Sequence, residues 1–237
     1  VATKAGKARP VLMTGSFAPG AKGHDTMISL KAEAQNVLAG VEPDASDPGF
    51  HRAIIRPHPV PGLAWAAGEG LRVVTIGLGS NLLVADGGVD ALALRLEGEL
   101  AAAATDDGLL VAGGGATNAV CLHRTRAAGL GGFEFACAIP GTVGGGVQMN
   151  AGAYGSDWAA ILERALVVSA EGAAWRTPDE LGLEYRRSAL QPEEVVARAE
   201  FRLEPKPPEE IKETVAELQA RRKAAQPTNK RTFGSVF

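Results

Sequence analysis

The residues of this chain best suited to chemistry are crowded into a few stretches. Between Gly132 and Gly155 stand seven of its 30 glycines, interleaved with Gln148, Asn150 and Tyr154. Glycine lets a backbone turn at positive φ or approach a neighbouring group closely. The pattern therefore suits a flat ring system laid against main chain, with amide and hydroxyl groups free to bond its edge. The alternative is a glycine-rich connection packed tightly for its own sake. Glu184-Tyr-Arg-Arg-Ser188 is a second polar cluster, one that no strand pattern explains.

A third stretch, Gly77-Leu-Gly-Ser-Asn81, fails the dinucleotide fingerprint: Leu82 stands where the third glycine belongs, and a strand is expected where a helix is required. Gly141–Gly146 likewise lacks the Gly-Lys-Ser/Thr that closes a Walker loop, so ATP and GTP chemistry has no support. Gly77, Gly79, Ser80 and Asn81 offer successive N–H donors and two short polar side chains, which fit a pyrophosphate or an ordinary tight turn equally well. Two glycine loops, each following strands, favour a nucleotide-like cofactor.

Composition narrows the partners. With 46% hydrophobic and 22% charged residues the chain reads as globular, and a net charge of −3 with interspersed signs gives no footprint for nucleic acid or an anionic membrane. No apolar run reaches the roughly 18 residues of a membrane span, and the N-terminus lacks a signal-peptide core, so a cytoplasmic protein is expected. Cys121 and Cys137 lack metal-site spacing and are expected to be buried reduced thiols. His24, His51 and His58 show no ligand spacing, read as solvated loop histidines, and no metal site is expected.

These stretches need elements to position them. Residues 1–60 are the least readable, with turn formers over Val41–Gly49 and a short helix near Leu30–Leu38. Arg72–Ile76 and Leu82–Ala85 read as strands, Leu92/Leu94/Leu96 as a half-buried strand, and Leu109–Ala112 as another. Thr117 is an N-cap for a helix through Ala128, stopped by Gly129. Ile139-Pro-Gly-Thr-Val143 should turn the chain before Gly144–Gly146. A hairpin is expected over Arg164–Arg176, a capped helical turn over Thr177–Leu181, and a strand with one buried face over Val195–Leu203. A final helix begins at Pro208 and ends at Gln226-Pro227. A boundary near residue 160 divides the chain into an N-terminal segment (1–60), a glycine-rich middle (61–160) and a smaller end (161–237).

Taken in order, Gly77-Leu-Gly-Ser-Asn-Leu-Leu-Val84, Gly129-Leu-Gly-Gly-Phe-Glu-Phe135, Ile139–Gly155, Tyr185-Arg-Arg-Ser188 and Gly234-Ser-Val-Phe237 resemble the UDP-N-acetylenolpyruvoylglucosamine reductase family. The resemblance spans roughly residues 63–237. It implies an α+β fold: an FAD-binding domain of the vanillyl-alcohol-oxidase/p-cresol-methylhydroxylase type, followed by a partial substrate domain. It also implies a cytoplasmic flavoenzyme of peptidoglycan synthesis that uses NADPH to reduce a UDP-linked sugar, with no nucleic-acid or membrane partner. FAD would be held by Gly77, Gly79, Ser80, Asn81 and Leu82 on one loop. Ile139, Gly141, Thr142, Val143, Gly145, Asn150 and Gly152 would hold it on the other.

By the same resemblance Tyr185 contacts substrate, Arg186 is the catalytic arginine and Ser235 the proton donor. Arginine's planar fork suits a carboxylate whose charge grows in the transition state. The family's Thr-Thr-x-x-x-Gly-Gly opening is not seen in residues 1–60, and the chain stops before the family's C-terminal glutamate, so an altered N-terminus and a C-terminal truncation are expected. Two other readings remain: a chain that only binds FAD, and an FAD-dependent alcohol or sugar oxidase of the same fold. The second is weakened because neither glycine loop contains a histidine for tethering the flavin.

Overall fold

The structure is a computed structural model and describes residues 41–44, 47–53, 60–82 and 91–226. The expected helix at Leu30–Leu38, the strand Leu82–Ala85 beyond its first residue, His24, His58 and Ser235 lie outside the described residues. The turn-former run beginning at Val41 instead holds an antiparallel pair, β1 (Val41–Asp44) and β2 (Asp47–Ala53).

The centre is one five-stranded antiparallel sheet. Its members are β5 (Ala103–Asp106), β6 (Leu109–Gly113), β10 (Leu162–Ser169), β11 (Gly172–Arg176) and β12 (Val195–Arg202), in the order β11-β10-β12-β6-β5, and the two-residue strands β7 (Leu130–Gly131), β8 (Gly152–Ala153) and β9 (Ser156–Asp157) lie outside it. Asp107 and Gly108 make the β5–β6 turn with φ of 41° and 74°, the paired positive values that a tight two-residue hairpin needs. A shorter parallel pair, β3 (Val73–Thr75) with β4 (Leu92–Leu94), lies outside this sheet. The sheet draws strands from both sides of residue 160, since β12 hydrogen-bonds β10 on one side and β6 on the other. Long-range strand pairing leaves no local mark in the sequence.

Both faces of the sheet are covered. On one lies an aromatic cluster in which Phe133, Phe135 and Phe201 surround Trp158, with ring centroids 5.4–6.3 Å from it in edge-on geometry. Such pairs add about 0.5–1.5 kcal/mol each beyond the area they bury. On the other lie Leu63 and Ala66 of α1 (Val60–Gly68), packed with Leu94, Leu96 and Leu100. The single buried face expected for β12 is therefore corrected: Val196 and Phe201 join the aromatic side, Val195 and Ala197 the other. Ala93 and Leu94 of β4 are both buried too, where alternation predicted a half-buried strand. A strand covered on two sides loses its polar alternation.

Local signals fared better. Thr117 caps α2 (Asn118–Ala127), its Oγ1 accepting from the Val120 N–H at 3.3 Å, and Gly129 follows the helix with φ of 67°. The Thr177–Leu181 segment makes the bonds of a capping box, Glu180 Oε2 accepting from the Thr177 N–H and Thr177 Oγ1 from the Glu180 N–H, yet it closes as turns without growing into a helix. The last helix, α4 (Pro208–Ala225), buries Ile211 and ends at Gln226. Cys121 is buried and its thiol is pushed up to about 12 by that burial, while Cys137 is half-buried.

Glu134 fastens α4's entry to this core. Its Oε1 accepts from Lys206 Nζ at 2.8 Å and its Oε2 from the Gly132 N–H at 2.6 Å. Burial opposes ionisation, but these bonds outweigh it and hold the carboxyl below its ordinary value. A carboxyl whose folded pKa is depressed stabilises fully above its unfolded value of about 4.3, and that contribution is lost as pH falls through the lower folded value. Glu134→Gln should lower the melting temperature at pH 7, with a loss of about 1–3 kcal/mol. The gap from wild type should shrink on acidification below pH ~4.3. A gap that stays constant across this range would remove the ion pair as the cause.

Candidate functional site

Strand β3 ends at Thr75 and delivers Gly77–Leu82 to the rim of a cavity of about 800 Å³. Opposite stands the turn Ile139–Thr142. Ser80 Oγ donates to Pro140 O at 2.9 Å, joining the two across the chain. Any side chain on Gly77 would begin 2.6 Å from Thr142 Oγ1, so the loop approaches this closely because it carries a glycine there. The turn is held from behind by α2: the Asn118 N–H donates to Gly141 O at 3.2 Å and Asn118 Nδ2 to Ile139 O at 2.9 Å.

After Thr142 the chain forms a six-residue helix, α3 (Val143–Gln148), where the sequence pattern reads as a glycine-rich loop. Glycine weakens a helix by about 1 kcal/mol per residue relative to alanine. Packing explains it: a Cβ on Gly146 would lie 2.5–2.8 Å from the Trp158 indole, and one on Gly144 would lie 3.0 Å from Gly114 O. These glycines let α3 sit directly on the sheet and on the aromatic cluster.

A second cavity of about 620 Å³ adjoins the first and runs along β3, Gly114-Gly115 and Glu194. The two share Thr75–Leu78, Thr142, Gly145 and Gln148 in their linings. The charged groups lining the larger cavity, among the described residues, are Arg186 and Arg222, both cationic. Such a lining suits an anionic ligand. In the smaller cavity Glu194 is ion-paired with Arg176, whose guanidinium holds the carboxyl below the ordinary range.

Most of the residues expected to hold the cofactor converge here. Gly77, Gly79, Ser80, Asn81 and Leu82 line the larger cavity from one side. Ile139, Gly141, Thr142, Gly145 and Gly152 line it from the other, together with Arg186. Three of the expected residues, among those described, line neither cavity. Val143 is fully buried in the hydrophobic core. Asn150 is also buried, and its amide is engaged by protein: Nδ2 donates to Glu184 O at 3.1 Å and to Asp157 Oδ2 at 3.3 Å, and Oδ1 accepts from the Ala159 N–H at 2.9 Å. Tyr185, expected to touch substrate, is 86% exposed and is not part of either lining.

Nor is the Tyr154 hydroxyl free to bond a ring edge, since it donates to Leu218 O of α4 at 2.9 Å. Sequence reasoning missed Asn118, Arg222, Gly114 and Gly115 among the lining residues. Asn118 reads in the sequence as an ordinary first-turn residue, and Arg222 as a cation complementing the helix end. In the fold Arg222 Nη1 reaches Ala138 O at 2.8 Å, a contact between residues far apart in the chain.

A family model described as an FAD binding domain matches residues 62–178. UDP-N-acetylenolpyruvoylglucosamine reductase 2 of Symbiobacterium thermophilum is 42% identical over 74% of this chain and 58% of its own length. The reductase of Rubrobacter xylanophilus is 44% identical over 72% of this chain and 58% of its length. The crystal structure of the corresponding reductase from Thermus caldophilus superposes with a TM-score of 0.64 at 35% identity, covering 73% of this chain and 63% of that one. The chain thus spans somewhat more than half the length of the curated relatives it matches. Its five-stranded α+β core, its adjoining cavities and these likenesses agree: over the region shared with those relatives the chain is similar to the UDP-N-acetylenolpyruvoylglucosamine reductases.

Proposed function

We propose that this chain is an FAD-dependent, NADPH-consuming reductase that converts UDP-N-acetylenolpyruvoylglucosamine to UDP-N-acetylmuramate, a precursor of peptidoglycan. The observation that carries this reading is the meeting of the Gly77–Leu82 loop, the Ile139–Thr142 turn and Arg186 around one cavity without acidic lining among the described residues.

The residues present fit FAD. Asn118 Oδ1 is buried beside the cavity with no hydrogen-bond partner among the described residues, and a buried acceptor of that kind calls for a donor on a ligand or water. Gly77 and Gly141, the latter at φ of 147°, keep backbone close to the space where a flat ring would lie. The loop Gly77–Asn81 would cradle the pyrophosphate. The two cavities, about 620 and 800 Å³, fall in the usual range of about 300–1,000 Å³ for small-molecule sites. Bound FAD supplies two-electron reduction, with NADPH as the external reductant.

Reducing an enolpyruvyl double bond adds two electrons and two protons in total, and negative charge accumulates on the substrate carboxylate as the bond is reduced. Arg186 would bind that carboxylate with its guanidinium fork and stabilise the charge as it grows. Ser235 would deliver a proton to the adjacent carbon. A serine hydroxyl does so only from a preorganised site that excludes water.

Anaerobic visible spectroscopy tests the reading. The purified chain should carry a flavin band that NADPH bleaches and the enolpyruvyl substrate restores. A colourless protein that takes up no FAD would sink the cofactor assignment. A bleached flavin that the substrate leaves bleached would sink the substrate.

A further inference from the structure

Arg186 stands at the tip of a two-residue turn, and the structure contains a device that holds this turn in place. Glu184 and Arg187 close it with reciprocal backbone bonds, Glu184 N–H to Arg187 O at 2.9 Å and Arg187 N–H to Glu184 O at 3.1 Å. Arg186 itself adopts φ of 58°, a left-handed conformation unfavourable for a residue with a Cβ. Strain of this kind persists only where the surroundings over-determine it.

The surroundings here are three alternate residues, beginning with the last residue of α3. Ser188 Oγ donates to Gln148 O at 2.8 Å, Asn150 Nδ2 donates to Glu184 O at 3.1 Å, and Arg186 Nη2 donates to Gly152 O at 2.9 Å. Positions 148, 150 and 152 thus grip positions 188, 184 and 186. Asn150 is rooted in turn: it is 4% exposed, takes the Ala159 N–H on its Oδ1, and contacts the Asp157 carboxylate. Its own φ of 36° is one that asparagine tolerates better than most residues. Gly152 has no room for a side chain, since a Cβ there would lie 2.6 Å from Ser156 O.

We infer that Asn150 and Ser188 are positioning residues for Arg186, clamping both ends of its turn so that the guanidinium is presented to the cavity in one pose. This rests on the proposed role of Arg186. Fixing a charged group before substrate arrives removes a reorganisation cost from the reaction step, and a misplacement of about 1 Å can slow a reaction on the order of 10²-fold.

The test uses the full chain reconstituted with FAD and the variants Asn150→Asp, Ser188→Ala and Ser188→Thr. Asn150→Asp keeps the acceptor for Ala159 but loses the donor to Glu184. Ser188→Thr keeps the hydroxyl. In rapid-mixing experiments Asn150→Asp and Ser188→Ala should retain flavin and its reduction by NADPH, while kcat for substrate-driven reoxidation falls from about tenfold to about 10²-fold. Ser188→Thr should recover most of that rate.

Limited trypsin digestion, read by mass spectrometry at the bonds after Arg186 and Arg187, reports the turn independently of activity. It should be severalfold faster in Asn150→Asp and Ser188→Ala than in wild type or Ser188→Thr. Cleavage rates equal to wild type in both loosened variants would overturn the clamp, as would faster cleavage with an undiminished reoxidation rate. If the wild-type reduced flavin is not reoxidised by substrate, the functional reading fails by itself, and the clamp is judged by the trypsin rates alone.

Discussion

Arg186→Ala is expected to slow reoxidation of the reduced flavin by substrate about 10²–10³-fold, the loss that follows removal of one preorganised donor from a developing negative charge. Flavin content and reduction by NADPH should be unchanged, because the group assigned to Arg186 is the substrate carboxylate and not the flavin. Rapid mixing of each half-reaction separately checks this. Equal losses in both halves would show that Arg186 supports the fold and does not act on the substrate. Arg186→Lys should recover only part of the rate, since a point charge cannot replace a planar fork. Backbone conformation adds a control: at φ of 58° glycine is free of the Cβ penalty that alanine carries. Arg186→Gly should therefore be as inactive as Arg186→Ala yet melt higher.

Gly114→Ala is expected to be the most damaging single methyl addition to stability. A Cβ there would begin 1.8 Å from Val196 O and 2.9 Å from Leu96 Cδ1. Backbone of the central strand cannot yield as a flexible side chain could. The same residue bonds on two sides: its N–H donates to Ala197 O at 2.8 Å, and its carbonyl accepts the Gly144 N–H at 2.7 Å. Moving it separates β12 from the start of α3. Overpacking of a fixed core costs typically about 1–3 kcal/mol, and this geometry should reach or exceed the top of that range. Denaturant unfolding would measure the loss, and flavin retention should fall with it because Gly114 and Gly144 both line the smaller cavity. Gly68→Ala is the contrast, with nothing of the described residues within 4 Å of its added Cβ. If Gly114→Ala unfolded at the same denaturant concentration as Gly68→Ala, the close approach of β12 and α3 would be wrong.

Much of the architecture was legible because its causes are local. The cap at Thr117, the stop at Gly129, the hairpin through Glu171-Gly172 and the proline start of α4 depend on residues a few positions apart. The candidate site was legible in outline for the same reason. Glycine-dense loops after strands are visible as composition, and ten of the twelve residues expected to hold the cofactor line the larger cavity. The two that do not, Val143 and Asn150, lie in the same motif as the others. Adjacency in sequence does not say which way a side chain faces once α3 has formed.

What the sequence determined by itself was the inventory of turns, caps and strands, together with a glycine-rich region suited to a flat, phosphate-bearing cofactor. Those features follow from backbone freedom and from hydrogen bonds between near neighbours. What only the tertiary structure decided was the job of each residue in that inventory. Gly114, Gly144 and Gly146 serve close packing, whereas Gly77 and Gly141 shape the cavity; Asn150 bonds the turn of Arg186 and lines neither cavity; Tyr185 stands in solvent. Burial, collision and hydrogen-bond partnership are set by chain segments tens of residues away, and no local pattern records which segments those will be.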